Sequence, residues 1–592
     1  MMAKPQTAAC RLTYCAALLC ALFAPAQAQD PAYPSPEWTA RELQNYQTAL
    51  SAVGEQLAQP PFMQRWLEQS LANIASFSQR ALTDPSWLLA SSPPLQSSIT
   101  AALSGDPVAA VATLAQQLSA DPLALVSLSL NSPLTPLCTT WALPCTGDPF
   151  RYPGVDDFYS AEAEVEPVVF YDRDCARLSG RLWRPIGSAE QSRPGVVIMN
   201  GSVQAPETLY WWAAQAMVRA GYSVLSFDPR GQGRSDMQAP NGGQGTNINL
   251  AVFWEGLVDA IDFFRSSPER PYPHAASCAS TTATVTQPYN PHHQTLDLQR
   301  LGIVGHSAGA IGVSVVQSYG APGAQAWPGT MDSTNPVDAV VAWDGWLGPE
   351  STQVGGAIGA GYDYLPEPLR QVLLDLVVAR ELPPIVPQLP TMGQASEYGL
   401  APLPFLAPPQ RDQHLEAFAS WQRAGIPAFQ FTIAGSTHFE WSLLPGFPAS
   451  SWCPEVVAGQ CQGGWGRPMA EHYTLAWLDR WLKRPGEGGF INADERLLAH
   501  QNQHTEFAER LSVYYDSAWA FTQRDGVTRS CTDLRRDCAS TTVAAIQPSS
   551  AQARQALSHA GGQLSWMNLL SLFLIWAATA HRRRSQHPSS GK

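Results

Sequence analysis

Residues 301–310 constrain this 592-residue chain more than any other stretch. Leu301-Gly302-Ile303-Val304 leads into Gly305-His306-Ser307-Ala308-Gly309, and a small-residue segment, 310–317, leaves that turn with helical character. An apolar run, a sharp glycine-flanked turn and a helix, in that order, are the setting in which a G-x-S-x-G serine works as a nucleophile. The spacing reflects the chemistry. A nucleophile on a strained turn needs neighbours almost free of side chain, so that strand and helix can approach each other. The helix N-terminus then lies beneath any negative charge that develops. Ser307 is the candidate nucleophile.

Strands and helices alternate around this turn. The Val-rich, turn-bounded segments 165–171 and 178–183 predict an antiparallel pair of strands. Residues 194–199 predict a buried strand ending at Asn200-Gly201-Ser202, and 207–220 a helix. Strand 222–227 then enters the turn Asp228-Pro229-Arg230-Gly231-Gln232-Gly233-Arg234-Ser235, and helix 251–264 precedes the nucleophile strand. Such alternation specifies a mostly parallel sheet with helices on both faces, the α/β class.

Asn-Gly after one strand, Asp-Pro-Arg-Gly-Gln-Gly-Arg-Ser after the next and Gly-His-Ser-Ala-Gly after the third resemble, in that order, the α/β-hydrolase fold over roughly residues 160–485. The resemblance implies a serine hydrolase of the esterase or lipase kind, working through an acyl-enzyme and needing no cofactor. Haloalkane dehalogenases and epoxide hydrolases of that fold use an aspartate at the elbow, whereas this chain has Ser307. The catalytic domain is expected over 148–490, interrupted by an insertion at about 268–298 that is too long for an ordinary connection. It reads as a decoration held by a disulfide or as part of the substrate entrance. His274, His292 and His293 lie in it, and loop histidines are more often solvated than metal-bound, so no metal is expected.

A serine hydroxyl needs a base. In this fold the base is a histidine after the last strand, in the chain order serine, acid, histidine. Residues 427–434 suit that strand, and Gly435-Ser436-Thr437-His438 is its loop, which makes His438 the candidate base. His472 is the rival, but it sits in an amphipathic stretch that predicts a closing helix. Two carboxylates follow apolar strands in the allowed interval. Glu397, after 390–396, holds the position the resemblance favours for the acid. Asp344, after the cleaner strand 339–343, is the alternative, and some lipases place the acid there. The oxyanion donors are expected to be the backbone N–H of Ala308 and, by resemblance, that of Ser202 or Val203. Trp211, Trp212, Trp343, Trp346 and Trp441 lie near strand ends, where they would be core or pocket lining.

The flanks speak of compartment. Lys4 and Arg11 precede an apolar run, 14–23, and Ala26-Gln27-Ala28 offers a cleavage site, so residues 1–28 read as a signal peptide. Cys20 is a poor lipid anchor because the large Leu19 precedes it. Of 11 cysteines, removal of Cys10, Cys15 and Cys20 leaves eight, an even number that reads as disulfides in an exported chain. Spacing suggests Cys138–Cys145, Cys453–Cys461 and Cys531–Cys538, leaving Cys175–Cys278; the second would stiffen the His438 loop. No C-x-x-C is present, which disfavours a metal site.

Residues 29–147 predict a helical N-terminal domain, with Phe62, Trp66, Leu67, Leu71, Ile74, Phe77 and Leu82 at helical spacing and no catalytic constellation. After an extension, 491–560, comes Gly561-Gly562, an apolar run, 564–580, and Arg582-Arg583-Arg584. This tail, 561–592, resembles the GlyGly-CTERM sorting signals of some Gram-negative bacteria, which a rhomboid-type protease cuts near the glycines; a permanent membrane anchor is the other reading. The implied partners are an ester substrate, the export machinery, such a sorting protease and, before processing, the membrane. The implied place is the cell surface, the medium or a membrane anchorage. A net charge of −13 argues against nucleic acid. Two further functions stay open: a peptidase or amidase of the same fold, and a non-catalytic surface binding protein.

Overall fold

A computed structural model describes residues 35–43 in part and, with short breaks, 158–350, 382–442, 455–498 and 507–536. The expected signal peptide, the C-terminal tail and nearly all of 29–147 lie outside these residues, as do Val203 and the cysteines Cys138, Cys145, Cys453 and Cys538. No helix among the described residues is long and apolar enough to cross a membrane.

Twelve strands are described. β1 (Ala163–Tyr171), β2 (Arg177–Pro185), β3 (Arg193–Met199), β4 (Ser223–Asp228), β5 (Leu296–His306) and β6 (Ala339–Trp343) are followed by β7 (Thr391–Ser396), β8 (Ala428–Ile433), β9 (Glu455–Val457), β10 (Gln460–Gln462), β11 (Ala518–Thr522) and β12 (Thr528–Cys531). The helices are α1 (Trp211–Arg219), α2 (Ala251–Phe264), α3 (Pro273–Ser277), α4 (Ala308–Val316), α5 (Glu416–Arg423), α6 (Gly466–Leu482) and α7 (Ala493–Leu497). Ten strands form one sheet in the order β1-β2-β4-β3-β5-β6-β7-β8-β11-β12, while β9 and β10 pair separately. Neighbours from β4 through β8 run parallel, and antiparallel strands extend the sheet on both sides. The fold is thus α/β, as expected.

Period-2 alternation splits the core into two layers. Val196, Ile198, Val341 and Trp343 face one layer, which holds α1 and α6; Val197, Met199, Val340 and Ala342 face the other, with α2, α4 and α5. Strands buried on both faces explain the near-continuous apolar runs that made them legible in the sequence.

The boundary expected at 490 does not separate the sheet from the extension behind it. β11 pairs with β8 through Ala518↔Gln430, Trp519↔Phe429 and Ala520↔Ala428, so part of the 491–560 extension completes the sheet. The expected insertion at 268–298 is tied to the β1–β2 hairpin, and its last residues, 296–298, already belong to β5. Cys278, just after α3, forms a disulfide with Cys175 in the β1–β2 turn. Tyr272 donates its hydroxyl to the Tyr171 carbonyl at 2.7 Å, and the Gln287 amide donates to the Val169 carbonyl at 2.8 Å. His274, His292 and His293 do not converge: His292 meets Glu166 at 2.7 Å, His293 the Asn290 carbonyl at 3.0 Å, and His274 lies 3.9 Å from Asp259. Cys531 is disulfide-bonded.

Candidate active site

The order of the parallel strands reverses at β3: the chain goes from β3 outward to β4, then returns to place β5 on the other side of β3. Ligand sites in open α/β sheets form outside the carboxyl ends of strands at such a switch point. Here those ends carry Gly201 and Ser202 after β3, and Ser307 after β5.

The turn at Ser307 has the strain its sequence implies. Ser307 sits at φ 58°, ψ −120°, outside the regions a side-chain-bearing residue prefers. A Cβ on Gly305 would lie 2.2 Å from the Gly309 carbonyl oxygen, and one on Gly309 would lie 2.5 Å from the carbonyls of Met199 and Asn200. Both glycines are therefore dictated by close backbone approach. Ala308 opens α4, so its N–H has no partner within the helix. The loop after β3 passes beside Ser307: a Cβ on Gly201 would be 3.2 Å from Cβ of Ser307. Asp228, at the end of β4, holds this loop by accepting from the Asn200 side chain at 3.0 Å and from the Glu207 amide at 2.7 Å.

His438 lies between Ser307 and an aspartate. Its Nε2 is 2.7 Å from Ser307 Oγ and its Nδ1 is 2.5 Å from Asp344 Oδ2. Asp344 is the carboxylate held as the alternative. It follows β6 at φ 51° and accepts two further bonds from Ser396, amide and hydroxyl, each at 2.7 Å. Burial pushes its carboxyl upward, but the hydrogen bond and charge of His438 and the Ser396 donors outweigh burial and bring it down to about 2. It is a carboxylate at any ordinary pH.

Glu397, the carboxylate preferred from family position, is placed differently. Its Oε2 accepts from the Gly435 amide and its Oε1 from the Ser512 hydroxyl, each at 2.7 Å. The physical reason is local. Gln394 is the β7 residue level with Trp343 of β6, and the Asp344 amide donates to its carbonyl at 2.6 Å. That bond sets Asp344 beside Ser396 and the imidazole, while Glu397, one residue beyond, meets the start of the base loop. His472, the rival base, is in α6 and bonds the Arg496 carbonyl at 2.8 Å.

Sequence reasoning gave no role to Ser396, Tyr210 or His306. Tyr210 Oη lies 2.8 Å from His306 Nδ1 and receives the Gly201 N–H at 3.1 Å. His306 Nε2 lies 2.7 Å from the His438 carbonyl. Burial and the neighbouring His438 push the His306 imidazole down to about 3, so it is neutral. The available signal was the histidine inside the G-x-S-x-G turn itself. Of the tryptophans, Trp211, Trp212, Trp343 and Trp441 are core. Trp441 also ties the segment after His438 to the sheet, donating to the Gln394 side chain at 2.8 Å and accepting from Trp212 at 2.9 Å.

No family model matches the chain. Over 107 residues it is 31% identical to a thiohydrolase of Aspergillus aculeatus, a match covering 18% of this chain and 31% of that protein. Two crystal forms of a Pyrococcus furiosus esterase align with 54% of this chain and with 94% and 92% of their own, at 15% identity and a TM-score of 0.30.

Proposed function

We propose that this chain is an exported serine hydrolase of the α/β-hydrolase fold that cleaves carboxylic esters through an acyl-enzyme on Ser307. One observation carries the reading: a single imidazole, His438, within hydrogen-bond reach of both the hydroxyl of a serine on a strained turn and a largely buried carboxylate. His438 Nε2 takes the proton as Ser307 Oγ attacks the acyl carbon, and Asp344 stabilises the imidazolium. The Ala308 N–H, with a second donor from the Ser202 loop, receives the oxyanion. Collapse of the tetrahedral intermediate returns the proton to the departing alkoxide. Water, deprotonated by the same imidazole, then attacks the acyl-serine and releases the acid.

Ester is favoured over amide by analogy with the fold. The partial match to a thiohydrolase makes an acyl thioester the second substrate to assay. Export rests on the 1–28 segment and agrees with the Cys175–Cys278 disulfide, since such bonds persist in oxidising compartments. In this proposal the 561–592 tail is a sorting signal or an anchor.

The test is hydrolysis of p-nitrophenyl esters from acetate to palmitate, with an acyl thioester and a fluorophosphonate probe beside them. Turnover and covalent labelling, both abolished in Ser307→Ala, are the expected result. Well-folded protein that neither turns over nor takes up the probe would move the assignment to a binding protein.

A further inference from the structure

Four groups from separate parts of the chain form one hydrogen-bonded line beneath the site. The Gly201 N–H, in the loop beside Ser307, donates to Tyr210 Oη at 3.1 Å. Tyr210 then uses its own proton toward His306 Nδ1, 2.8 Å away. His306 Nε2 is 2.7 Å from the His438 carbonyl oxygen, which can only accept, so Nε2 carries the proton and Nδ1 is the acceptor. Every donor along the line has an acceptor, and only the neutral Nε2–H form of His306 satisfies all of them. Tyr210 is fully buried and His306 nearly so, at 0% and 3% relative exposure, so no solvent competes for these bonds.

We infer that His306 is a positioning residue for the reaction: its imidazole fastens the base-bearing loop to the nucleophile strand through the His438 carbonyl and, through Tyr210, to the Gly201 amide. The inference rests on the serine-hydrolase reading and adds to it a link between base and oxyanion loop. The link has a reason in the chain's layout. His438 hangs on a loop after β8, three strands from β5, and covalent connection alone does not set its distance to Ser307. His306 is the residue next to the nucleophile, so any bond it makes to the base loop measures that distance directly. The rings of His306 and His438 are 4.8 Å apart, consistent with one side chain buttressing the other. A histidine held this way is a fixture of geometry rather than a proton carrier.

The test uses ester turnover by the disulfide-bonded protein, three single variants and one double variant. His306→Leu removes both bonds. His306→Gln keeps an N–H that can reach the His438 carbonyl. Tyr210→Phe removes the middle of the line. Misplacing a base by about 1 Å costs on the order of 100-fold in rate. We expect kcat to fall about 100-fold in His306→Leu and about tenfold in Tyr210→Phe, with KM within about twofold. His306→Gln should recover most of the loss seen in His306→Leu. The double variant His306→Leu/Tyr210→Phe should be no slower than His306→Leu, because both changes cut one line. Wild-type kcat in His306→Leu, or losses that multiply in the double variant, would overturn the inference. Nitrogen-15 spectra of histidine-labelled wild-type protein give a readout that needs no variant to fold: His306 should be the neutral Nε2–H tautomer at pH 7, and the Nδ1–H form or a cation overturns the inference. Lack of any Ser307-dependent turnover in the wild type would instead break the hydrolase reading itself.

Discussion

The ends of β6 and β7 lie side by side, and each delivers a buried or nearly buried carboxylate toward the base loop. At β6 the carboxylate of Asp344 meets an imidazole nitrogen, Nδ1 of His438. At β7 the carboxylate of Glu397 accepts from the Gly435 amide and the Ser512 hydroxyl, standing at the start of the His438 loop. In the proposed mechanism the first faces the positive charge that forms on the imidazole. The other holds the backbone at the point where the base loop begins. The two positions look alike in sequence, an apolar strand followed by an acid, and differ in what faces them. Chemistry is assigned by the partner, not by the strand.

The most direct way to break this contrast is Asp344→Asn. It leaves shape intact but removes the charge opposite the imidazole, and kcat should fall by about 10⁴-fold. Comparable loss in Glu397→Gln would erase the distinction. Ser396→Ala comes next in size. It removes one of two Ser396 donors to Asp344 and should lower kcat roughly tenfold, measured against unchanged KM. Glu397→Gln should change kcat by less than about threefold while lowering unfolding free energy by about 1–3 kcal/mol in urea, since a buried acceptor of two bonds is disturbed.

Acid sharpens the contrast in a different way. His306 stands at about 3 in the fold against a reference of 6.5, so the unfolded chain binds the extra proton first. Its contribution is full above about pH 6.5 and is lost as pH falls toward 3. Asp344, depressed to about 2 from 3.8, contributes fully above 3.8 and loses that contribution only as pH falls toward 2. Asp172, raised by burial to about 7, and His414, lowered by burial to about 4, titrate in the same window. The stability that His306 contributes is therefore read as the difference in melting temperature between the wild type and His306→Gln, which should shrink from pH 6.5 downward. The corresponding difference for Asp344→Asn should stay constant down to about pH 4 and shrink only below it.

Much of this was legible because the parallel strands are buried on both faces and read as apolar runs. The Gly305 and Gly309 spacing marked the nucleophile turn because backbone approach leaves no room for a Cβ at either position. Chain order singled out His438, the histidine whose ring lies between Ser307 and Asp344. The choice between Asp344 and Glu397 was not legible, because it depends on register between β6 and β7, and sequence does not record which strand end faces which loop. β11 was missed for a related reason. Ala518–Thr522 is a short strand after an irregular segment, and only its pairing with β8 makes it part of the sheet. The Tyr210–His306 line was invisible because its bonds cross 96 and 132 residues of chain.

The disulfide between Cys175 and Cys278 closes a ring of chain 103 residues apart in sequence. Inside that ring lie β2, β3, β4 and the Gly201–Ser202 loop; outside it lie Ser307, Asp344 and His438. Closing a ring of this size removes disorder from the unfolded chain worth about 4–5 kcal/mol in the entropy model. That gain is available only after oxidation. Because the constraint acts on the unfolded chain, the gain belongs to the whole fold, to the Gly201–Ser202 loop inside the ring and to Ser307, Asp344 and His438 outside it. The protein's stability would thus differ by that amount between reducing and oxidising surroundings.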